Sequence, residues 1–366
     1  MSIQVPEPIP VGQLLGKELE ERGWTQSDFA TVIGRPTQFV SEIVTGKKEI
    51  TRESAAQIGA AFGQTAEFWL NLQDAYLLNA QAKDFQTQQS LTAVRRRARL
   101  NELAPISVLR KRGVLAGSDI DELEAEIMNL FELQSINDTP SFAIAARRSN
   151  VHEAVSAIQN AWVACVRQEA RAISHGERIH AFSNKRLSKL AGKLPALLKT
   201  PEQFESLPEL FAAAGVIVVY VDAIPGAKID GCAFMLGESP VIGLSGRGKR
   251  LDKILFTLLH ETAHVLLGHA TLETIVEALD GDDDSGDDEQ AANARARQWL
   301  LPTPLPSVPE RVSAGWIADV ATERDLAPIV VIGQLQNDNI LDWRTTLARN
   351  APTVTEALEG WRRSER

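Results

Sequence analysis

Apolar positions recur at helical spacing through the first eighty residues, interrupted by short polar or glycine punctuation. VGQLLGKELEERG places Leu14, Leu15 and Leu19 on one face and stops at Gly23. Thr25 caps TQSDFATVIG, with Asp28 three positions on as its first-turn partner, and Gly34 ends the segment. RPTQFVSEIVTG has Pro36 suited to a first helical turn and Gly46 as terminator. Thr51 opens TRESAAQIGAAFG, which Gly63 closes. Thr65 opens TAEFWLNLQDAYLLNAQ, where Phe68, Trp69, Leu72 and Tyr76 form a stripe. The pattern predicts a five-helix domain over residues 1–80. Residues 81–204 read as a helical connector or bundle, clearest at 119–133 and 151–173.

The pattern changes after Leu210. GVIVVYVD (215–222) is a β-branched run, and IDGCAFMLG (229–237) and SPVIGLSG (239–246) are two apolar runs joined by Gly-Glu, the mark of a hairpin. Two helical segments follow, LDKILFTLLHETAHVLLGH and EQAANARARQWLL, the second stopped by Pro302 and Pro304. The predicted class is multidomain and mainly α, with an α+β C-terminal part. That part, residues 205–348, combines a small antiparallel sheet with helices, and residues 349–366 read as a tail.

Composition narrows the class. The chain has 366 residues, 44% hydrophobic and 23% charged, the balance of a soluble globular protein with two or three domains. No apolar run reaches membrane-span length, and the N-terminus lacks a basic region followed by an apolar one, so a cytoplasmic protein with no membrane partner is expected. Cys165 and Cys232 are too few for a disulfide framework or a cysteine zinc site. The net charge of −10 argues against a general polyanion binder. Charge is nevertheless clustered, with Arg95, Arg96, Arg97, Arg99, Arg110, Lys111 and Arg112 in one stretch and DGDDDSGDDE at 280–289. The acidic stretch does not match a calcium loop, because Ser285 stands at the glycine position and Ala291 at the twelfth.

The strongest chemical signal is His260-Glu261-x-x-His264 within an apolar helical run. Positions i and i+4 share a helix face, so both imidazoles can reach one Zn2+ while Glu261 stands ready as general base. The competing reading is a buried helix with two hydrogen-bonded histidines. A catalytic zinc needs a third protein ligand. Glu289 is the preferred candidate, with Asp287 and Asp288 as weaker ones; His269 reads as a helix-end residue or a group behind the ligands. The strand VIGLS offers an edge for an extended peptide.

PVIGLSGRGKRLDKILFTLLHETAHVLLGH followed by EQAANARARQWLLP resembles the ImmA/IrrE family of zinc metallopeptidases. The resemblance implies His260, His264 and Glu289 as metal ligands and Glu261 as the catalytic base. APIVVIGQLQ (327–336) resembles the family's closing segment. The chain departs from the family pattern at Ala291, Arg295 and Gln334.

TQSDFATVIGRPTQFVSEIVTGKKEIT resembles the phage-repressor type of helix-turn-helix, as in HigA-like antitoxins. By that resemblance Arg35, Thr37, Gln38 and Ser41 face bases, while Gln26, Lys47 and Lys48 lie near phosphates. The implied partners are a double-stranded DNA operator bound as a homodimer, and a protein substrate or cognate toxin. Two functions stand: a regulator that hydrolyses a regulatory protein in stress, prophage or toxin–antitoxin control, and an antitoxin-type repressor whose metallopeptidase fold is a non-enzymatic sensor or platform.

Overall fold

Helix starts near the N-terminus are written in three-residue spacings. Thr25 Oγ1 accepts the Asp28 N–H at 3.1 Å while the Asp28 carboxylate accepts the Thr25 N–H at 2.9 Å, so two otherwise orphaned donors are satisfied reciprocally. Thr51 and Ser54 repeat the arrangement two helices later. The computed structural model describes residues 7–140, 156–176, 179–270, 275–277 and 287–361. Residues 151–155 of the expected middle helix and 280–286 of the acidic stretch lie outside them. The chain divides into two compact units, Met1–Arg96 and Arg97–Arg366.

In the first unit, α1 (Val11–Glu21), α2 (Gln26–Val32), α3 (Thr37–Val44), α4 (Arg52–Phe62) and α5 (Ala66–Lys83) are the five helices that the pattern predicts. α6 (Phe85–Leu103) begins here and runs on past Arg96. Leu15, Phe29, Val40, Ile43, Ile58 and Trp69 form the core. The Phe29 and Phe62 rings stack at 5.0 Å. α1 lies so close on α3 that a Cβ at Gly12 would stand 2.1 Å from the Ile43 carbonyl oxygen. Buried Gln73 accepts the Ile50 N–H at 2.6 Å and donates to the Ile50 carbonyl at 3.1 Å, which ties the turn before α4 to α5. α1, α4 and α5 thus pack with the α2–α3 pair around one core.

The second unit begins with the end of α6 and continues through α7 (Ile106–Lys111), α8 (Ile120–Phe131), α9 (Ala157–Gly176), α10 (Asn184–Ala191), α11 (Leu194–Leu197) and α12 (Leu207–Ala214). Strands β1 (Ile217–Tyr220), β2 (Gly231–Leu236) and β3 (Ser239–Leu244) come next. Then come α13 (Leu251–Leu267), β4 (Ile275–Glu277), α14 (Asp287–Leu300), α15 (Ala314–Glu323), α16 (Pro328–Asn337) and α17 (Thr355–Trp361). The sheet order is β1-β3-β2-β4. β2 and β3 form the expected hairpin, turning at Gly237 with φ 61°. β1 pairs with β3 in parallel, Ile217 opposite Val241, so the sheet is mixed and not antiparallel. The chain leaves β1, skips one strand position to lay down β2, and the hairpin returns β3 into the gap. That topology corrects a second expectation: VIGLS is central in the sheet, flanked on both sides, and offers no edge.

The strand alternation buries both faces. Ile217, Val219, Cys232, Phe234 and Val241 join a core with α7, α8 and α9. Val218, Tyr220, Ala233, Ile242 and Leu244 join another with α10, α12, α13, α16 and α17. The middle helices therefore build the same body as the sheet. The expected tail also packs: Leu358 and Trp361 of α17 are buried in the second core, and the Trp361 indole donates to the Phe204 carbonyl at 3.0 Å. Val354, Leu358 and Trp361 recur at helical spacing, which gives this short segment an apolar face. Arg250 grips Asp252 at 3.0 and 2.6 Å and donates to Gln336 at 3.0 Å, bracing the start of α13 against α16. A Cβ at Gly333 would stand 2.3 Å from Asp252 Oδ2, so this close approach needs glycine. Among the described residues no helix is long and apolar enough to cross a membrane.

Candidate metal centre and nucleic-acid interface

α13 is buried along nearly its whole length, mostly through apolar residues, with Asp252, Thr257, His260, Glu261, Thr262 and His264 as its buried polar positions. Thr257 and Thr262 donate back to carbonyls of the helix and Asp252 pairs with Arg250, which leaves His260, Glu261 and His264 to be explained. All three are essentially inaccessible, which demands partners inside the protein. His260 and His264 sit one turn apart and bring their Nε2 atoms to 3.0 Å. Glu289, buried in the first turn of α14, completes the group: its Oε2 lies 3.5 Å from His260 Nε2 and its Oε1 3.3 Å from His264 Nε2. The packing of α13 on α14 thus delivers the one side chain of the group that the helical spacing alone does not supply.

The three side chains suit a divalent cation. They offer two imidazole nitrogens and a carboxylate, all within 4.8 Å of one another. Ligands about 2.05 Å from a tetrahedral zinc are separated from each other by about 3.3 Å. The observed separations of 3.0, 3.3 and 3.5 Å bracket that value.

Glu261 lies beside the group and is not needed to close it. Its Oε2 is buried with no hydrogen-bond partner. Burial pushes its carboxyl up to about 7, helped by the negative charges of Glu289 and Asp230 and opposed by His260 and His264. Burial works to raise Glu289 as well, but hydrogen bonds and charge from the two histidines outweigh it and bring that carboxyl to about 2. The two carboxylates are thus driven apart, one ligand-like and one able to exchange a proton near neutrality. Burial, with Glu261 alongside, holds the Cys232 thiol well above its usual range, so it is an inert neighbour.

Sequence reasoning missed Gly231 altogether. A Cβ there would stand 2.5 Å from Glu261 Oε1 and 2.8 Å from Thr257 Cγ2, so the start of β2 is kept bare where the Glu261 carboxylate lies. Glycine inside a strand was the available signal. His269 does not join the ligands. It follows Gly268, whose φ of 77° ends α13, and turns back so that its Nδ1 lies 3.0 Å from His264 Nδ1. Asp288 likewise stands outside the group, 3.3 Å from His269 Nε2.

The other candidate face is α3. Thr37 and Gln38 are exposed at its N-terminal end and Ser41 is half-buried one turn on. Gln38 donates to Glu42 at 2.9 Å. Gln26 opens α2, half-buried, and Lys47 and Lys48 are exposed past the end of α3. Lys48 stands over the Phe39 ring at 5.0 Å and 3.5 Å from Glu42. Arg35 is drawn away from the group: it donates to Gln57 at 3.0 Å and pairs with Glu53 at 2.5 Å, both on α4.

No family model matches the chain. Its N-terminal region is 36% identical over 90 residues to an uncharacterized HTH-type transcriptional regulator of Haemophilus influenzae, a match covering 24% of this chain and 84% of the relative. It is 39% identical over 69 residues to Antitoxin HigA-1 of Vibrio cholerae, covering 19% of this chain and 65% of that protein. A solved addiction module antidote protein of a HigA family from Coxiella burnetii shares 33% identity over 24% of this chain and 94% of its own, with a TM-score of 0.22.

Proposed function

The chain belongs to the HTH-type transcriptional regulators through its N-terminal region, and from that premise we propose that it is an operator-binding regulator whose second unit is a zinc-dependent endopeptidase of the ImmA/IrrE kind. The convergence of His260, His264 and Glu289 beside a partnerless Glu261 carboxylate oxygen carries the hydrolytic part of this reading. As domains, the reading assigns residues 1–80 to DNA binding, 81–204 to a helical support and 205–348 to the peptidase.

On DNA, Thr37, Gln38 and Ser41 read base edges from α3 while Gln26, Lys47 and Lys48 hold phosphates. Arg35 reaches DNA only by leaving Glu53 and Gln57. A homodimer places two copies of α3 on successive major-groove faces. In the second unit His260, His264 and Glu289 would hold zinc. When bound, zinc supplies an acidified water and polarises a carbonyl. Glu261, next to His260 and with a buried carboxylate oxygen that has no hydrogen-bond partner, accepts a proton and returns it to the leaving amine. The protein cleaved is a regulatory protein.

A second reading has one observation in its favour, the 39% identity to a protein named as an antitoxin. In it the chain is a non-enzymatic repressor and the second unit serves as a sensor or toxin platform. Glu261→Gln separates the two. The purified chain, incubated with proteins of its host's stress and toxin–antitoxin systems, is expected to cleave one of them, and Glu261→Gln to abolish cleavage while keeping zinc. A stable toxin complex with no cleavage by the wild type would establish the second reading instead.

A further inference from the structure

We infer that His269 and Asp288 form an outer pair that fixes the tautomer and aim of His264, and so sets how tightly the second unit holds its metal. The inference rests on the metal site proposed above and adds two residues to it.

The geometry leaves little freedom. His264 shows its Nε2 to the cluster, 3.0 Å from His260 Nε2 and 3.3 Å from Glu289 Oε1. It shows its Nδ1 to His269 Nδ1 at 3.0 Å. Two ring nitrogens at that separation form a hydrogen bond only if one carries a proton and the other a lone pair. A cation at the cluster needs the Nε2 lone pair of His264, so the His264 proton sits on Nδ1 and is donated outward. His269 then accepts at Nδ1, and its own proton sits on Nε2. That atom lies 3.3 Å from Asp288 Oδ1, a carboxylate that can only accept when ionised. One assignment satisfies all three positions. The reverse assignment aims an N–H of His264 into the cluster and leaves a lone pair of His269 against a carboxylate.

Backbone structure holds the pair in place. Gly268 turns the chain in the left-handed region, and the His269 N–H donates to the His264 carbonyl at 2.9 Å, so the two rings are tethered at both ends. Asp288 directly precedes Glu289 in the first turn of α14. The same helix start therefore supplies the inner carboxylate to His260 and His264 and the outer one to His269. Hydrogen bonding to the far nitrogen of a ligating imidazole raises its basicity and removes its rotational freedom, which is worth about 10–100-fold in metal affinity.

The test measures zinc affinity of the full-length chain by chelator competition, together with the visible spectrum of the cobalt-loaded protein and the melting temperature of the metal-free protein. His269→Ala is expected to weaken zinc binding by about 10–100-fold and to alter the cobalt bands, with the metal-free melting temperature little changed. His269→Asn places an amide oxygen where Nδ1 accepts and is expected to recover part of the loss. Asp288→Asn is expected to give a smaller loss in the same direction. A His269→Ala protein with wild-type zinc affinity and an unchanged cobalt spectrum overturns the outer pair and leaves the metal site standing. A wild type that binds neither metal overturns the site itself, and the pair with it.

Discussion

Replacing Gly231 by alanine tests whether the closeness of β2 to α13 holds the Glu261 carboxylate where it lies. The added methyl carbon would stand 2.5 Å from Glu261 Oε1, 2.9 Å from Glu261 Cγ and 2.8 Å from Thr257 Cγ2. Contacts this short are not tolerated, and neither neighbour can swing into solvent, because Glu261 is 1% and Thr257 3% exposed. Gly231 pairs with both Leu244 and Glu277, so the strand is held from two sides. Either α13 lifts from the sheet or the carboxylate is displaced. Overpacking of this kind costs about 1–3 kcal/mol. At roughly 2–4 °C per kcal/mol for a unit of this size, the melting temperature should fall by about 2–12 °C. The assay is thermal unfolding of the full chain, with Gly360→Ala as control, since a Cβ at Gly360 meets nothing within 4 Å. The control should melt with the wild type or slightly above it. On the proposed peptidase reading, Gly231→Ala should also lose hydrolysis, because Glu261 is no longer in register with His260 and His264. A Gly231→Ala protein that melts with the wild type and cleaves at its rate would refute the reasoning.

Three further outcomes follow from other parts of the molecule. Gly12→Ala sets a methyl 2.1 Å from a backbone oxygen of α3, so it should melt the first unit early and abolish operator binding in a gel-shift assay. Gln38→Ala should relax discrimination at one base pair by about 1–3 kcal/mol, whereas Lys47→Ala should weaken all sequences alike and lower the salt slope by about 1, both read by titration against operator variants. Burial works to raise the Glu132 carboxyl, but Arg167 and Arg171 outweigh it and hold it below its ordinary value. A carboxyl lowered in the folded state contributes stability that is present above its unfolded pKa and is lost as pH falls through the folded one. Glu132→Gln should therefore be less stable than wild type at neutral pH, with the two melting curves converging in acid; a constant gap across pH would refute this.

What could be read in advance was mostly local. The Thr25–Asp28 cap and the His260–His264 pair lie three and four residues apart, and helical geometry alone brings such residues together. Glu289 lies 25 positions beyond His264, from the numbering 289 − 264, and no periodicity connects them. The need for a third protein ligand made it the preferred carboxylate on the next helix, the family resemblance pointed to the same residue, and the packing of α13 on α14 brings it to the two imidazoles. The parallel pairing of β1 with β3 was not legible, because strand order depends on which long-range edge is filled and not on the alternation within each run. Arg35 was placed among base contacts by the helix-turn-helix resemblance, but its pairing with Glu53 and Gln57 depends on where α4 packs. His269 read as a helix-end residue or a group behind the ligands, and its link to His264 comes from the turn at Gly268.

The most direct measurement is the metal content of the purified chain by elemental analysis, before and after zinc reconstitution, for the wild type and for Glu289→Ala. The account predicts about one zinc per wild-type chain and a weakened or empty site in the variant, since removing one of three protein ligands leaves two. A wild type that takes up no zinc, or a Glu289→Ala protein that holds it as tightly, would contradict the metal centre on which the proposed hydrolytic function depends.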